Sequence, residues 1–265
     1  MKAHQESFER YVAYFDFLGF RSWIRTKGSK EVYERVVFLL GLAVKGSLPG
    51  ASVGSDMSVR LRRSRVHYSN FSDTVVFYTT DCSYASLDAL IRTCTSFMVQ
   101  AISIQMVRGA ISRGVFRVFR EDNIHVGEAL LDAHDLAESQ DWVGLAVHSG
   151  MHDDTNTKRF RAKNPKCLVS YPIPLKTGVY NGYCVNWVDK SISGWSFFPA
   201  DQMEECRERA LASAAGQPIE IEKIERRIKN TCTFLTTMAP VEMSRTMPVR
   251  SGEIRDQDGV TPEWH

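Results

Sequence analysis

The stretch YVAYFDFLGF, residues 11–20, decides the fold, because most of it is apolar, aromatic or β-branched. Residues 11–17 have the composition of a buried β-strand, and Leu18-Gly19-Phe20 then predicts a turn. A single carboxylate, Asp16, interrupts the strand between two phenylalanines. Burying a carboxylate is costly unless it is paired, hydrogen-bonded or bound to a metal. Asp16 is therefore the first candidate functional residue.

The composition is that of a globular protein with balanced charge. Of 265 residues, 33 are Lys or Arg and 31 are Asp or Glu, so the net charge of +2 gives no electrostatic case for nucleic-acid binding. The N-terminus has no apolar signal segment, and no apolar run reaches the roughly 18–20 residues of a membrane span. The six cysteines form no CxxC pair, which favours free thiols in a reducing compartment. We expect a cytoplasmic protein without membrane or nucleic-acid partners.

The segments around this stretch alternate between predicted helices and strands. The predicted helices cover residues 30–45, 87–106, 128–139, 201–215 and 219–236. The predicted strands cover residues 11–17, 59–68, 74–78, 108–119, 124–126, 144–148, 167–175 and 179–187, with a loop at 46–55 and turns at 69–73 and 121–123. This order predicts an α+β protein with helices on one face of a sheet.

A second carboxylate, Asp73, lies in FSDTVVFY (71–78), where the predicted hairpin turn enters an apolar strand. Aspartate often caps turns through its side chain, and that remains the alternative for each of the two residues taken alone. Two such aspartates at the edges of core strands favour a shared metal site. Carboxylate oxygens suit Mg²⁺ or Mn²⁺ bound together with substrate phosphates.

Four motifs in this order resemble those of class III nucleotidyl cyclases. FDFLGF (15–20) resembles their first metal motif and SDTVVFY (72–78) the second, while RGAISRG (108–114) and GEALLDAHDLAE (127–138) resemble the strand and the glycine-opened helix that complete the catalytic core. The combination looks most like the bacterial pyrimidine cyclases of the Pycsar antiphage systems, over roughly residues 10–190.

The resemblance implies a ferredoxin-like nucleotidyl cyclase catalytic domain, with a central, mostly antiparallel sheet flanked by helices, over residues 1–195. It leaves C-terminal helices packed on that domain over 196–240 and a loose tail over 241–265. Such a domain works as a homodimer with active sites at the subunit interface.

The resemblance also implies the ligands of the site. Asp16, Asp73 and the backbone carbonyl of Phe17 would hold two Mn²⁺ or Mg²⁺ ions. The backbone of Phe17, Leu18, Gly19 and Phe20 would bind the triphosphate, because glycine lets a backbone approach phosphate closely.

The sequence departs from the cyclase pattern in the glycine-opened helix. Purine cyclases carry an Asn and, four residues later, a transition-state Arg there, where this chain has Leu131 and Asp135. Arg113 is the predicted catalytic substitute, and Arg108 at the other end of the same strand is the alternative. Either arginine alone is equally well explained as a solvated residue of the strand.

The predicted function is conversion of UTP to 3′,5′-cyclic UMP and diphosphate, a second messenger read by a separate effector during phage infection. The alternatives are CTP as substrate, a purine cyclase, or a non-catalytic cyclase-homology module that binds a nucleotide or a partner. The missing Asn and Arg motivate the module, whereas retention of both aspartates argues for the enzyme.

Other motifs are better explained by structural roles than by catalysis or metal binding. The basic run RLRRSR (60–65) is predicted to be a solvated strand face, although it would also steer an anionic nucleotide. His148 and His152, with Asp153 and Asp154 beside them, have the i, i+4 spacing of a metal-binding pair but lack a third defined ligand, so a polar loop is favoured. No P-loop, no Rossmann glycine motif and no cysteine with a recognisable histidine partner occurs.

Overall fold

The computed structural model of the chain describes residues 8–46, 65–119, 124–189, 199–214 and 217–238. Its helices are α1 (Phe20–Lys27), α2 (Ser29–Gly46), α3 (Tyr84–Ile102), α4 (Glu128–Ser139), α5 (Thr155–Lys163), α6 (Pro199–Ser213) and α7 (Pro218–Met238). Its strands are β1 (Glu9–Phe17), β2 (Val66–Phe71), β3 (Thr74–Thr79), β4 (Val107–Val115), β5 (Arg117–Phe119), β6 (Ile124–Val126), β7 (Leu145–Val147), β8 (Leu168–Leu175) and β9 (Gly178–Val185).

A seven-stranded sheet forms the centre of the protein, with strand order β2-β3-β1-β4-β7-β9-β8. Only the β4–β7 pair is parallel among the described strand pairs of this sheet; the other neighbours run antiparallel. β5 and β6 form a separate two-stranded hairpin. The predicted α+β class, with a mostly antiparallel sheet flanked by helices, is confirmed.

β1 is an interior strand of the sheet, and its alternating side chains enter two different layers. Phe15 packs against Phe97 of α3, with ring centroids 4.8 Å apart. The neighbouring Tyr14 packs edge-on against His134 of α4, with centroids 5.1 Å apart. Helices therefore cover both faces of the sheet, and the expectation of helices on one face is wrong. An interior strand with two covered faces needs apolar residues on both, which explains its nearly continuous apolar sequence.

Most predicted elements are confirmed, with small shifts at their ends. α4 has the predicted bounds, whereas α3 ends at Ile102 because β4 already begins at Val107. The hairpin turn expected at residues 69–73 contains only Ser72 and Asp73, because β2 continues through Phe71. The strand expected at 108–119 is divided at Phe116 into β4 and β5.

Several expected features fall outside the described residues. They are the loop at 46–55 apart from Gly46, the first six positions of the strand expected at 59–68, the basic run 60–65 apart from Arg65, the turn at 121–123 and the tail at 241–265. Within the described helices, none combines the length and the apolar character that crossing a membrane requires.

The C-terminal helices α6 and α7 pack against each other, and polar contacts are among those that join α7 to the rest of the protein. The Asn230 side chain donates to the carbonyl of Asp141 at 2.7 Å, and the amide of Val143 donates to the hydroxyl of Thr231 at 2.9 Å. Arg226 forms an ion pair with the Asp141 carboxylate. α7 is therefore fastened to the segment that directly follows α4.

Gly127, at the start of α4, lies against the backbone at the end of β4. A Cβ atom at this position would lie 2.1 Å from the carbonyl oxygen of Val115. We expect Gly127→Ala to lower the free energy of unfolding by about 2–3 kcal/mol, as overpacking does, in urea denaturation. The matched control is Gly41→Ala inside α2, where nothing lies within 4 Å and alanine is the better helix former. Equal stabilities of the two variants would contradict the expectation.

Candidate active site

The two predicted metal ligands lie at the same end of the sheet. Asp16 is the second-last residue of β1 and pairs with Thr74, the first residue of β3. Asp73 directly precedes Thr74, and its carbonyl accepts a hydrogen bond of 2.9 Å from the amide of Phe17. The β1–β3 pairing therefore brings the backbones of Asp16 and Asp73 side by side.

The turn that carries Asp73 has an unusual backbone. Ser72 has a φ of 56°, and it is the only described residue other than glycine with a positive φ. Such a conformation costs roughly 1–3 kcal/mol and persists only where the surroundings impose it. Here a two-residue turn between paired strands imposes it, and the hydroxyls of Tyr14 and Thr74 lie 3.2 Å apart beside it. The turn therefore holds Asp73 in a fixed position directly before the first residue of β3.

Arg108 of β4 occupies the other side of Asp16. Its Nη2 and Nε atoms donate to Oδ2 of Asp16 at 2.9 and 3.1 Å, and Nη2 also donates to the Glu138 carboxylate. Nη1 donates to the carbonyls of Glu138 and Gln140 at 2.9 and 3.1 Å. Arg108 is 4% exposed and its bonds to Asp16 are buried, whereas the Glu138 side chain that it contacts is 37% exposed. Glu138, at the end of α4, is a site residue that the sequence interpretation did not include.

The carboxyl groups beside Arg108 differ in their pKa. Burial raises the pKa of Asp16, and the charges of Glu138 and Asp73 act in the same direction, against Arg108. Burial also works to raise the pKa of Glu138, but Arg108 and Lys176 outweigh it and leave this pKa below its usual value. Asp16 is consequently the member of the cluster that holds a proton more readily.

This crowding of negative charge bears on whether a metal ion fits. No group of three or more His, Cys, Asp and Glu side chains within the described ranges is already arranged around a metal position. The carboxylates of Asp16 and Asp73 nevertheless repel each other, since the charge of Asp73 raises the pKa of Asp16. A divalent cation would relieve that repulsion, and carboxylates with a backbone carbonyl form the donor set that Mg²⁺ or Mn²⁺ prefers. The residues present therefore fit a hard cation.

The turn after β1 exposes backbone to a ligand. Phe17 and Leu18 bury their side chains in the core, and their amides already donate to the carbonyls of Asp73 and Met106 at 2.9 Å. The amides of Gly19 and Phe20 have no such backbone partner among the described residues, so they are the ones available to a ligand. Gly19 has a φ of 75°, which favours glycine, and it precedes the first turn of α1 without a side chain to cap it. The Gln105 side chain donates to the carbonyl of Leu18 and fixes the turn. A helix start without a cap or an acidic residue favours an anion nearby.

Arg113 lies away from the two aspartates. It pairs with Tyr11 across β1, whereas Arg108 pairs with Asp16, and the odd spacing of the two arginines places them on opposite faces of the sheet. The Arg113 guanidinium forms ion pairs with Asp154 and with Glu9, the latter at 2.7 Å. The structure therefore brings Arg108, and not Arg113, next to Asp16.

The two positions that depart from the cyclase pattern lie on the outer face of α4. Leu131 is 63% exposed, and the side chain of Asp135 is 80% exposed. The inner face of the same helix consists of Ala129, Ala133 and Ala137, all fully buried. Leu131 and Asp135 therefore face away from the core of this chain.

The histidine segment has structural roles. His148 accepts a bond of 3.4 Å from the amide of Gly150, and His152 lies 3.1 Å from the hydroxyl of Tyr180. Asp154 accepts from the amide of Thr157 at 2.9 Å and thereby caps α5, a helix that the sequence interpretation missed. These contacts agree with the polar-segment interpretation over the metal pair.

Comparisons with known proteins give distant likenesses only. No family model matches the sequence, and no curated protein matches it. Among solved structures, the adenylyl cyclase CyaB from P. aeruginosa is 12% identical, with a TM-score of 0.45, covering 67% of this chain and 93% of that one. A bacterial light-regulated adenylyl cyclase is 14% identical, with a TM-score of 0.43, covering 75% and 97%. A class III adenylyl cyclase-like ATP-binding protein from Pseudomonas aeruginosa is 11% identical, with a TM-score of 0.38, covering 83% and 43%.

Proposed function

We propose that the protein is a metal-dependent nucleotidyl cyclase that converts UTP to 3′,5′-cyclic UMP and diphosphate. The observation that carries the proposal is the pairing of β1 with β3, which sets the buried Asp16 beside the hairpin residue Asp73. The glycine turn and the start of α1 follow Asp16 directly, so a place for phosphate adjoins the two carboxylates.

Each part of this site has a distinct task in the proposal. Asp16, Asp73 and the carbonyl of Phe17 hold two Mn²⁺ or Mg²⁺ ions. Such ions lower the pKa of an attacking hydroxyl and neutralise charge on the phosphate. The amides of Gly19 and Phe20 bind the triphosphate, since the amide of Leu18 already donates to the carbonyl of Met106 at 2.9 Å. They keep its α-phosphate close to the ribose 3′-hydroxyl. That positioning supplies a large part of the rate enhancement in phosphoryl transfer.

Arg108 replaces Arg113 in this proposal as the arginine nearest the reacting groups. Its guanidinium is held by Asp16 and Glu138, so it acts as a positioning residue that orients the Asp16 carboxylate. A second subunit would complete the site from the outer face of α4, where Leu131 leaves apolar surface exposed. We therefore include a homodimer in the proposal.

The preference for UTP over CTP, and the role of the product as a messenger for a separate effector in phage defence, rest on the motif resemblance. A non-catalytic nucleotide-binding module is the second candidate. The specific observation in its favour is that Asp16 is paired with the counter-ion Arg108 at 2.9 Å.

The deciding experiment is incubation of the purified protein with UTP, CTP, ATP and GTP separately, each with Mn²⁺. Chromatography and mass measurement identify the products. We expect a cyclic monophosphate from UTP alone, and none after addition of EDTA. A cyclic product from another nucleotide would agree with the proposed reaction but would contradict the proposed preference for UTP. If none of the four nucleotides gave a product but the protein still bound one of them, the proposed enzymatic activity would be contradicted. The non-catalytic nucleotide-binding module would then be the remaining candidate.

A further inference from the structure

A cavity of about 630 Å³ lies between α1 and the C-terminal helices. This volume falls within the range of small-molecule sites, roughly 300–1,000 Å³. α1 and the turn before it form one wall, and α6 and α7 form the other. Gly19 belongs to the first wall, so the cavity begins three residues from Asp16. The cavity therefore adjoins the turn that follows Asp16, although neither Asp16 nor Asp73 lines it.

The cavity wall carries an excess of positive charge. Arg21, Arg25 and Arg227 line it, against a single acidic residue, Glu220. The Glu220 carboxylate is already paired with Lys223 at 2.8 Å. Arg21 and Arg25 form no ion pair with any residue that the structure describes. Three guanidinium groups around a cavity of this size favour an anionic occupant.

Arg227 is the most deeply placed of the three, with a side chain that is 15% exposed. Its Nε atom is buried and has no hydrogen-bond partner among the described residues. The nearest carboxylate, Asp141, lies 3.4 Å from that atom and is shared with Arg226, so one negative charge faces two guanidinium groups. Burial lowers the pKa of Arg227, and the charge of Arg108 adds to the effect. A buried cation with an unused donor is costly unless a ligand completes its contacts.

We propose that this cavity binds the phosphate chain of the nucleotide, with Arg227 of α7 as its innermost contact and Arg21 and Arg25 at its mouth. The inference rests on the proposed nucleotide substrate, and it makes the C-terminal helices part of the substrate site. A phosphate chain in the cavity passes Gly19, and the rest of the nucleotide then extends toward Asp16 and Asp73. Arginine suits this task because its planar fork binds two phosphate oxygens at once.

The test is calorimetric titration of the full chain with inorganic tripolyphosphate in EDTA, so that no metal contributes to the affinity. We expect Arg227→Gln to raise the Kd at least about tenfold, the effect of losing one charged hydrogen-bond donor. Lys229→Gln is the matched control, because it removes one exposed charge from the same helix outside the cavity, and its Kd stays within about twofold of wild type. Equal effects of the two substitutions would overturn the inference.

Two further measurements keep the outcomes separate. If circular dichroism shows that Arg227→Gln is unfolded, Arg25→Gln decides, since Arg25 is exposed; an unchanged Kd in that variant overturns the inference. UTP must also displace tripolyphosphate, and failure to do so overturns the assignment to the nucleotide. If tripolyphosphate binding depended on these arginines but no cyclic product formed, only the proposed enzymatic activity would be contradicted. If Arg227→Gln still formed cyclic product with an unchanged KM for UTP, only the assignment of the cavity to the phosphate chain would be contradicted.

Discussion

We expect Asp73→Asn to lower the turnover of UTP about 1,000-fold, because the loss of charge stabilisation by a bound cation costs several kcal/mol in the transition state. The substitution keeps the size of the side chain and leaves intact the backbone carbonyl that accepts the bond from Phe17. The fold should therefore survive. Initial rates with saturating Mn²⁺ measure the change, and thermal unfolding checks the structure.

The control for this variant is Asp153→Asn. The Asp153 side chain is 97% exposed and contacts Lys158 on the surface near the start of α5. The turnover of UTP by Asp153→Asn should equal that of wild type. If Asp73→Asn retained more than about a tenth of wild-type activity, Asp73 would be a turn-capping residue and the metal site would need different ligands.

The second large effect concerns stability. We expect Arg108→Met to lower the free energy of unfolding by about 3–5 kcal/mol at pH 8, the usual cost of removing one partner from a buried ion pair. The variant leaves the carboxyl groups of Asp16 and Glu138 without their guanidinium and two backbone carbonyls without a donor. Urea denaturation in EDTA measures the loss without a contribution from metal ions.

The pH dependence of that loss has a definite sign. Burial already raises the folded-state pKa of Asp16, and without Arg108 nothing offsets that rise, so the variant loses more stability than wild type as pH rises. In wild type the pKa of Glu138 is instead lowered, and its contribution is lost as pH falls. The deficit of the variant should therefore be smaller at pH 5 than at pH 8. Arg92→Met, at an exposed pair with Asp88 on α3, should cost about 1 kcal/mol or less at either pH. A pH-independent deficit in Arg108→Met would contradict the expectation.

The strands and helices with strong local patterns could be predicted from sequence. In α3 apolar residues recur at helical spacing and all are buried: Leu87, Leu90, Ile91, Cys94, Phe97, Met98, Ala101 and Ile102. In β1 the apolar residues occupy both faces of the strand, because β1 lies inside the sheet and helices cover both faces of the sheet. Here the local pattern and the tertiary environment agree, so periodicity alone is sufficient.

The short helices were missed because their apolar residues are few. In α5 only Thr157 and Phe160 are buried, and the segment before it has the composition of a loop. In α1 the spacing of Phe20, Trp23 and Ile24 carried a usable signal, but eight residues with several cations are a weak pattern. The cap at Asp154 was a second available signal, since aspartate is a preferred N-cap residue.

The candidate site was predicted only in part, for a topological reason. Asp16 was recognisable because it interrupts an apolar strand, and Asp73 because it stands where a turn enters one. The contact of Arg108 with Glu138 depends instead on α4 crossing the face of β1 and β4, and the two residues are separated by 30 positions. No local pattern reports such a crossing, so sequence reasoning chose Arg113, whose side chain the sheet directs to the opposite face.

The attachment of α7 to the Asp141–Val143 segment also has a consequence for the timing of synthesis. Asp16 leaves the ribosome about 200 residues before α7, a delay of about 10–40 s at ordinary translation rates. During that interval the Val143 amide and the Asp141 carboxylate lack the partners that Thr231 and Arg226 later supply. A nascent chain therefore contains both aspartates before it contains the wall that carries Arg227. We expect nucleotide binding to begin only when the last described helix has been made.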